Sequence, residues 1–184
     1  MSSFDVQLFQ CLYQWGQRLP WLGLTMTWVT RVSSLVFALI YLCALASLFS
    51  SRSSRLAAGL VGPALSMLTV QLARILFYRP RPFVTFDLES LVLQSDSSSL
   101  PSQHATSAFA IATMVWFLHP RLGQLVFAAA GLTALSRVIT GVHYPGDVIL
   151  GACFGVFWSS LAFLIDRHRQ GLEQSSEENR PSTS

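Results

Sequence analysis

The run Ser136-Arg137, five residues, His143, three residues, Asp147 sets a cation, an imidazole and a carboxylate between two long apolar stretches. A charged side chain at the centre of a bilayer costs roughly 2.5–3.5 kcal/mol or more, so a chain seldom keeps such groups without using them. Two fragments upstream carry matching chemistry. One is Arg74 with Arg79-Pro80-Arg81-Pro82, and the other is Pro101-Ser102-Gln103-His104. Arg74, Arg81 and Arg137 present the planar fork that suits phosphate oxygens. Ser102 adds a hydroxyl, His104 and His143 two imidazoles, and Asp147 one carboxylate. That set suits phosphoryl transfer without a metal.

Taken singly, each fragment has a plain structural explanation. An arginine near the end of a span, such as Arg74, is commonly an anchor that snorkels to the interface. An Arg-Pro-Arg-Pro run is commonly a rigid loop, Pro101-Ser102 a helix start, and Asp147 a cap for the helix that follows. Their joint placement has to carry the argument, and that depends on the elements that position them.

Those elements are apolar helices. Of 184 residues 52% are hydrophobic and 11% charged, and the mean hydropathy is +0.48, which excludes an ordinary soluble domain. The reading is an all-α, polytopic transmembrane bundle with five spans. They are the apolar part of Trp21 to Phe49, Leu56 to Phe77, Gln103 to Leu118, Leu122 to Thr140, and Val148 to Ile165. Phe4 to Leu19 mixes apolar and polar residues and reads as a helix lying at or dipping into the interface, with Pro20 breaking the chain after it. Tyr78 to Leu100, with its prolines, acids and serine run, reads as an exposed loop. Residues 1–165 form one expected domain, and 166–184 a polar, disordered tail.

Every cation is an arginine; the chain has no lysine, and its net charge is +3. The arginines are scattered at the ends of apolar segments, so nucleic acid is not an expected partner. Arg52, Arg55, Arg121, Arg167 and Arg169 fall on one side of the bundle, which the positive-inside rule assigns to the cytoplasm. Arg74, Arg79, Arg81, His104, Arg137, His143 and Asp147 then share the opposite side. Arg79 and Arg81 run against the rule there, and phosphate binding would explain them. Cys11, Cys43 and Cys153 show no metal or CxxC spacing, which predicts buried free thiols. Gly151-x3-Gly155 predicts a helix-packing surface. Met1 to Asp5 has no basic region or small-residue cleavage site, so no removable leader is expected.

The three fragments resemble the tripartite signature of the phosphatidic-acid-phosphatase type 2 family, membrane relatives of the vanadium haloperoxidases. That signature reads Lys-x6-Arg-Pro, Pro-Ser-Gly-His and Ser-Arg-x5-His-x3-Asp. Here the first element is Arg74, six residues, Arg81-Pro82; the second is Pro101-Ser102-Gln103-His104; the third matches in full. The resemblance covers roughly residues 56 to 165. Arg74 stands where the family has Lys, and Gln103 where it has Gly.

The resemblance implies roles. His143 would attack phosphorus and form a phosphohistidine, with Asp147 orienting the imidazole. His104 would protonate the leaving oxygen and then activate water. Arg74, Arg81, Arg137, Ser102 and the helix N-terminus carrying Gln103 would hold the phosphate oxygens. The expected activity is hydrolysis of a lipid phosphate or diphosphate, with no cofactor and no metal, at the outer face of a bacterial inner membrane. The Arg-Pro-Arg-Pro-Phe run and the short chain look like the undecaprenyl-diphosphatase branch. Phosphatidylglycerophosphate, phosphatidic acid and lipid A phosphate are the alternatives. The non-enzyme alternative is a lipid-phosphate transporter or scaffold, which would not need paired histidines.

Overall fold

The computed structural model describes residues 3–51, 53–92 and 97–178, and the described residues form helices and loops without a strand. In chain order the helices are α1 (Ser3–Arg18), α2 (Pro20–Ser50), α3 (Leu56–Leu76), α4 (Pro82–Thr85), α5 (Gln103–Leu118), α6 (Pro120–Ile139) and α7 (Pro145–Glu178). Helices α2, α3, α6 and α7 are long and apolar enough to cross a membrane. At 16 residues, α5 spans only about 24 Å. It is the most enclosed helix, packed between α6, α7 and α3. The expected all-α transmembrane bundle is therefore present, with four helices of full crossing length around a shorter central one.

Small residues let α7 sit directly on α5. A Cβ at Gly155 would collide with the Thr106 carbonyl oxygen, and one at Gly151 would lie 2.6 Å from that of Ser102. The glycine pair is thus an internal packing surface, where small residues allow backbones to approach closely. On the α5 side Ala105, Ala108, Ala110 and Ala112 are buried. The contact has a functional consequence, because it fixes the start of α5 against the start of α7. There Ser102 N donates to the Asp147 carbonyl at 3.0 Å.

The outward surface is apolar, as a lipid-facing surface must be. Trp28, Leu35, Leu39, Leu42 and Phe49 of α2 are exposed. Cys11, Cys43 and Cys153 are free but exposed, not buried as expected. Both environments are apolar in a bundle that faces lipid, so a thiol's hydrophobic surroundings in sequence do not say which side it faces.

Several boundaries differ from the sequence reading. Tyr144-Pro145-Gly146 does not break the chain after a span; Pro145 opens α7, where a missing N–H and a fixed φ cost nothing. The break lies just before it, at Gly141, whose φ of +85° few other residues adopt readily. Beyond Ile165 the chain stays helical to Glu178 where disorder was expected. Gln170 there donates to Asp166 one turn back and to Ser54 of the α2–α3 loop, which ties the polar segment down. Arg52 and residues 179–184 lie outside the described residues.

The segment between α3 and α5 departs most. It folds inward over the end of the bundle: Arg81 is 1% exposed, Ser99 0%, and Ser98 and Val92 are buried. Helix α1 packs across the same end. Phe9 is buried against Tyr13, Phe86 and Tyr144, and Tyr13 donates to the Glu89 carbonyl. Asp5 contacts Gly146 at one end of α1, and Gly16 meets Ile139 at the other. Both ends of α1 thus touch the same level of the bundle. That disposition matches an interfacial helix.

Candidate active site

The bundle delivers all three signature fragments to one end. Arg74 sits in the last turn of α3, Ser102 caps α5 by accepting from Ala105 N, and α6 carries Ser136 and Arg137 in its last turn. His143 lies in the short connection to α7, and Asp147 in that helix's first turn. Helix ends are where orphan N–H groups and dipoles are available to anions.

The turn that presents His143 is built on Arg137. Its carbonyl accepts from both Val142 N and His143 N at 3.2 Å, while Gly141 N reaches Val138 O at 3.0 Å. The left-handed Gly141 closes the end of α6 in this way. A side chain there would also press on the ring of Tyr13, 3.1 Å from the added Cβ. Asp147 then reaches back to accept from Tyr144 N at 2.9 Å, the reciprocal half of a helix cap.

His143 is 1% exposed and Asp147 0%. They are 3.7 Å apart, an ion-pair distance too long for a hydrogen bond. Ser99 fills the gap. Its Oγ lies 3.3 Å from His143 Nδ1 and donates a short hydrogen bond to Asp147 Oδ2. On the other side of the ring, Arg81 Nη1 is 3.3 Å from His143 Nε2.

These contacts admit one consistent set of protons. Arginine only donates, so Nε2 must accept and carries the lone pair. The Ser99 proton goes to the carboxylate, so Ser99 Oγ accepts from Nδ1–H. His143 therefore presents a nucleophilic Nε2 toward Arg81, with its Nδ1 proton relayed through Ser99 to Asp147. Burial, reinforced by Arg137 and Arg81 and opposed by Asp147, pushes the His143 imidazole down to about 4. The unreacted ring is thus neutral near pH 7, the form that can attack. For histidine-labelled protein, 15N spectra are expected to show His143 as the Nδ1–H tautomer from pH 8 down to about pH 5. Titration near the ordinary value of about 6.5 would contradict the geometry.

The arginines are held by backbone and hydroxyl oxygens. Arg81 donates from Nε to Ser97 O, from Nη2 to Ser97 Oγ, and from Nη1 to Val142 O, all at 3.0–3.1 Å. Arg74 donates from Nε and Nη2 to the Pro101 carbonyl, at the threshold of α5. Arg137 is 3% exposed. His104 lies within electrostatic reach of Arg137, His143, Arg81 and Arg74. Together with Gln103 it lines a cavity of about 340 Å³ that runs between α2, α3, α5 and α6 past Phe37, Met67 and Ile111.

The sequence reading missed four contributors. Ser97 and Ser99 belong to a serine run that in sequence reads as exposed loop. Phosphate binding is the sequence's explanation for Arg79 on this side, yet its two terminal nitrogens each bind a carboxylate at 2.6 Å, Asp147 and Asp5. Asp5 stood in a segment with no recognisable motif. One signal was available: two carboxylates and an unassigned arginine in a chain with only nine acids.

Comparison with known proteins supports the family resemblance. The model of the PAP2 superfamily matches residues 55–170. Undecaprenyl-diphosphatase BcrC of Bacillus subtilis is 30% identical over 148 residues, 79% of this chain and 75% of that one. A lipid A 1-phosphatase of Rhizobium johnstonii is 34% identical over 90 residues, 47% of this chain and 37% of that one. The crystal structure of Aquifex aeolicus LpxE superposes with a TM-score of 0.73 at 25% identity, covering 88% of this chain and 96% of the other. A PAP2-type phosphatidylglycerolphosphate phosphatase from Bacillus subtilis shares the fold, with a TM-score of 0.72 at 24% identity over 91% and 88%. Fold and relatives define a membrane-embedded phosphatase. The chain belongs to the PAP2 superfamily, as its three signature fragments led us to expect.

Proposed function

We propose that this protein hydrolyses a polyprenyl diphosphate, best represented by undecaprenyl diphosphate, through a phosphohistidine on His143. The carrying observation is the Nε2 lone pair of His143 facing Arg81, with the Nδ1 proton passed through Ser99 to Asp147. Nε2 attacks the terminal phosphorus, and the P–O bond to the leaving phosphate breaks. His104 gives that oxygen its proton, then takes one from the water that cleaves the P–N bond. Arg74, Arg81 and Arg137, with the α5 N-terminus at Ser102 and Gln103, offset the charge on the equatorial oxygens. Three buried or half-buried arginines supply the charge stabilisation that a metal supplies elsewhere.

The lipid chain has somewhere to go. The cavity beside His104 runs into the depth of the bundle, where Phe37, Ala38, Met67 and Ile111 give it an apolar wall among the hydroxyls of Ser33, Ser34, Ser107 and Thr133. The similarity to BcrC along most of both chains supports the diphosphate over lipid A phosphate, whose relatives match less than half of this chain. Purified protein, given a panel of undecaprenyl diphosphate, phosphatidic acid, phosphatidylglycerophosphate and lipid A phosphate, is expected to release phosphate fastest from the first. EDTA should leave the rate unchanged, and micromolar vanadate should inhibit by occupying the phosphorus position at His143. Strict dependence on added Mg²⁺ would sink the mechanism; a preference for another lipid would overturn the substrate alone.

The site end is read as facing the periplasm, because Arg55, Arg121, Arg167 and Arg169 all lie at the other end. Glu89 and Ser175 are exposed at opposite ends. With the native cysteines replaced by Ala, Glu89→Cys is expected to react with an impermeant thiol reagent in spheroplasts, and Ser175→Cys only after lysis. The reverse pattern would place the site in the cytoplasm.

A further inference from the structure

The residues matched to the family begin at position 55, yet a carboxylate from far outside them reaches the site. Asp5, on α1, accepts from Arg79 Nη2 at 2.6 Å through Oδ2 and from Gly146 N at 2.8 Å through Oδ1. Gly146 is the second residue of α7, so Asp5 caps the helix that bears Asp147. Arg79 spends its other terminal nitrogen on Asp147 Oδ1, also at 2.6 Å. Its guanidinium lies 3.9 Å over the ring of Tyr144, the residue that follows His143. Side chains of Arg79 and Asp5 are each 14% exposed, and that of Asp147 0%.

We infer that Asp5 and Arg79 form a positioning pair through which the N-terminal helix sets the place and effective charge of Asp147, and through it the reactivity of His143. This inference rests on the proposed role of His143. The charge count explains the need for it. Asp147 stabilises a phosphoimidazolium only while its own negative charge is not fully cancelled. Arg79 alone would cancel it at 2.6 Å. A second carboxylate on the same guanidinium divides that cation between two anions and leaves a net negative charge for the ring. Asp5 also fixes the fork in the plane that reaches Asp147, which a point-charge lysine could not do for two carboxylates at once. The backbone agrees: a Cβ on Gly146 would stand 3.2 Å from Asp5 Oδ2, so glycine lets the carboxylate close on the helix end.

The full chain in nanodiscs tests this, with undecaprenyl diphosphate and phosphatidic acid as substrates and competent sites counted by vanadate titration. Asp5→Asn and Arg79→Lys are each expected to lower kcat per titrated site about 10–100-fold, the scale on which losing the outer partner of a metal-ligating residue acts, applied here to the partner of Asp147. KM should not rise, because neither group is placed on the substrate. The double variant should be no slower than the worse single one by more than about twofold, since both act through one network. Tyr13→Phe removes another tether of α1, its bond to the Glu89 carbonyl, and should leave kcat unchanged. A per-site kcat of Asp5→Asn within twofold of the parent overturns the inference, as does full additivity or an equal loss in Tyr13→Phe. Should the parent protein release phosphate from neither lipid, the substrate reading fails, and 15N spectra still decide the pair. The His143 Nδ1 resonance is expected to move in Asp5→Asn and not in Tyr13→Phe; an unmoved resonance overturns the inference.

Discussion

His143→Ala is expected to abolish turnover while leaving a folded, membrane-inserted protein. The loss should be about 10⁴-fold or more in kcat, the scale found when a covalent nucleophile is removed and only binding and charge stabilisation remain. The fold should tolerate the change because every partner of the ring keeps other bonds. Arg81 stays bound to Ser97 and Val142, and Asp147 to Arg79, Ser99 and Tyr144 N. The cost is a cavity the size of an imidazole, typically a few kcal/mol. Helicity by circular dichroism should therefore match the parent protein. Brief reaction with 32P-labelled substrate followed by an alkaline quench should trap an acid-labile phosphoprotein in the parent chain and none in the variant. A rate within tenfold of the parent would remove His143 as nucleophile.

The helices were legible because lipid imposes a simple rule on sequence. Uninterrupted apolar runs must be helical where backbone groups have no water, so α2, α3, α6 and α7 could be read from composition. The signature residues were legible for the opposite reason: Arg137, His143 and Asp147 stand out because their surroundings are apolar. The loop residues were not legible. Ser97, Ser99 and Arg79 lie in a segment rich in serine and proline, which looks the same whether it is solvated or folded over a site. What decides is a tertiary fact, that the loop's hydroxyls answer to a buried arginine, histidine and carboxylate at positions far away in sequence. Asp5 was hidden by the same distance: nothing local to α1 shows that Gly146 and Arg79 wait opposite it. The exposed cysteines show a further limit, since an apolar neighbourhood in sequence has two possible apolar environments in a membrane.

Arg81→Lys should lower kcat/KM by about 10³-fold, the second-largest effect, although the charge is kept. Arg81 is 1% exposed and uses its whole fork: Nε and Nη2 hold Ser97, and Nη1 faces both Val142 O and His143 Nε2. A phosphorus atom poised for attack sits about 3–3.5 Å from Nε2, so its equatorial oxygens must pass through the space that Nη1 already addresses. Losing one such preorganised donor typically costs 10²–10³-fold, and Arg81 also orients the attacking ring. Lysine cannot hold the loop at Ser97 and the turn at Val142 while pointing a donor at Nε2. Two losses therefore add: the transition-state contact, and the order of the 97–99 strap that carries the Ser99 relay. Arg74→Lys gives the contrast. Arg74 spends its fork on one carbonyl, that of Pro101, and lysine can still meet that oxygen; lysine is also the residue that the family signature has there. A loss of tenfold or less is expected at that position. Comparable losses at both arginines would mean that charge alone sets the rate and that the fork geometry at Arg81 contributes nothing.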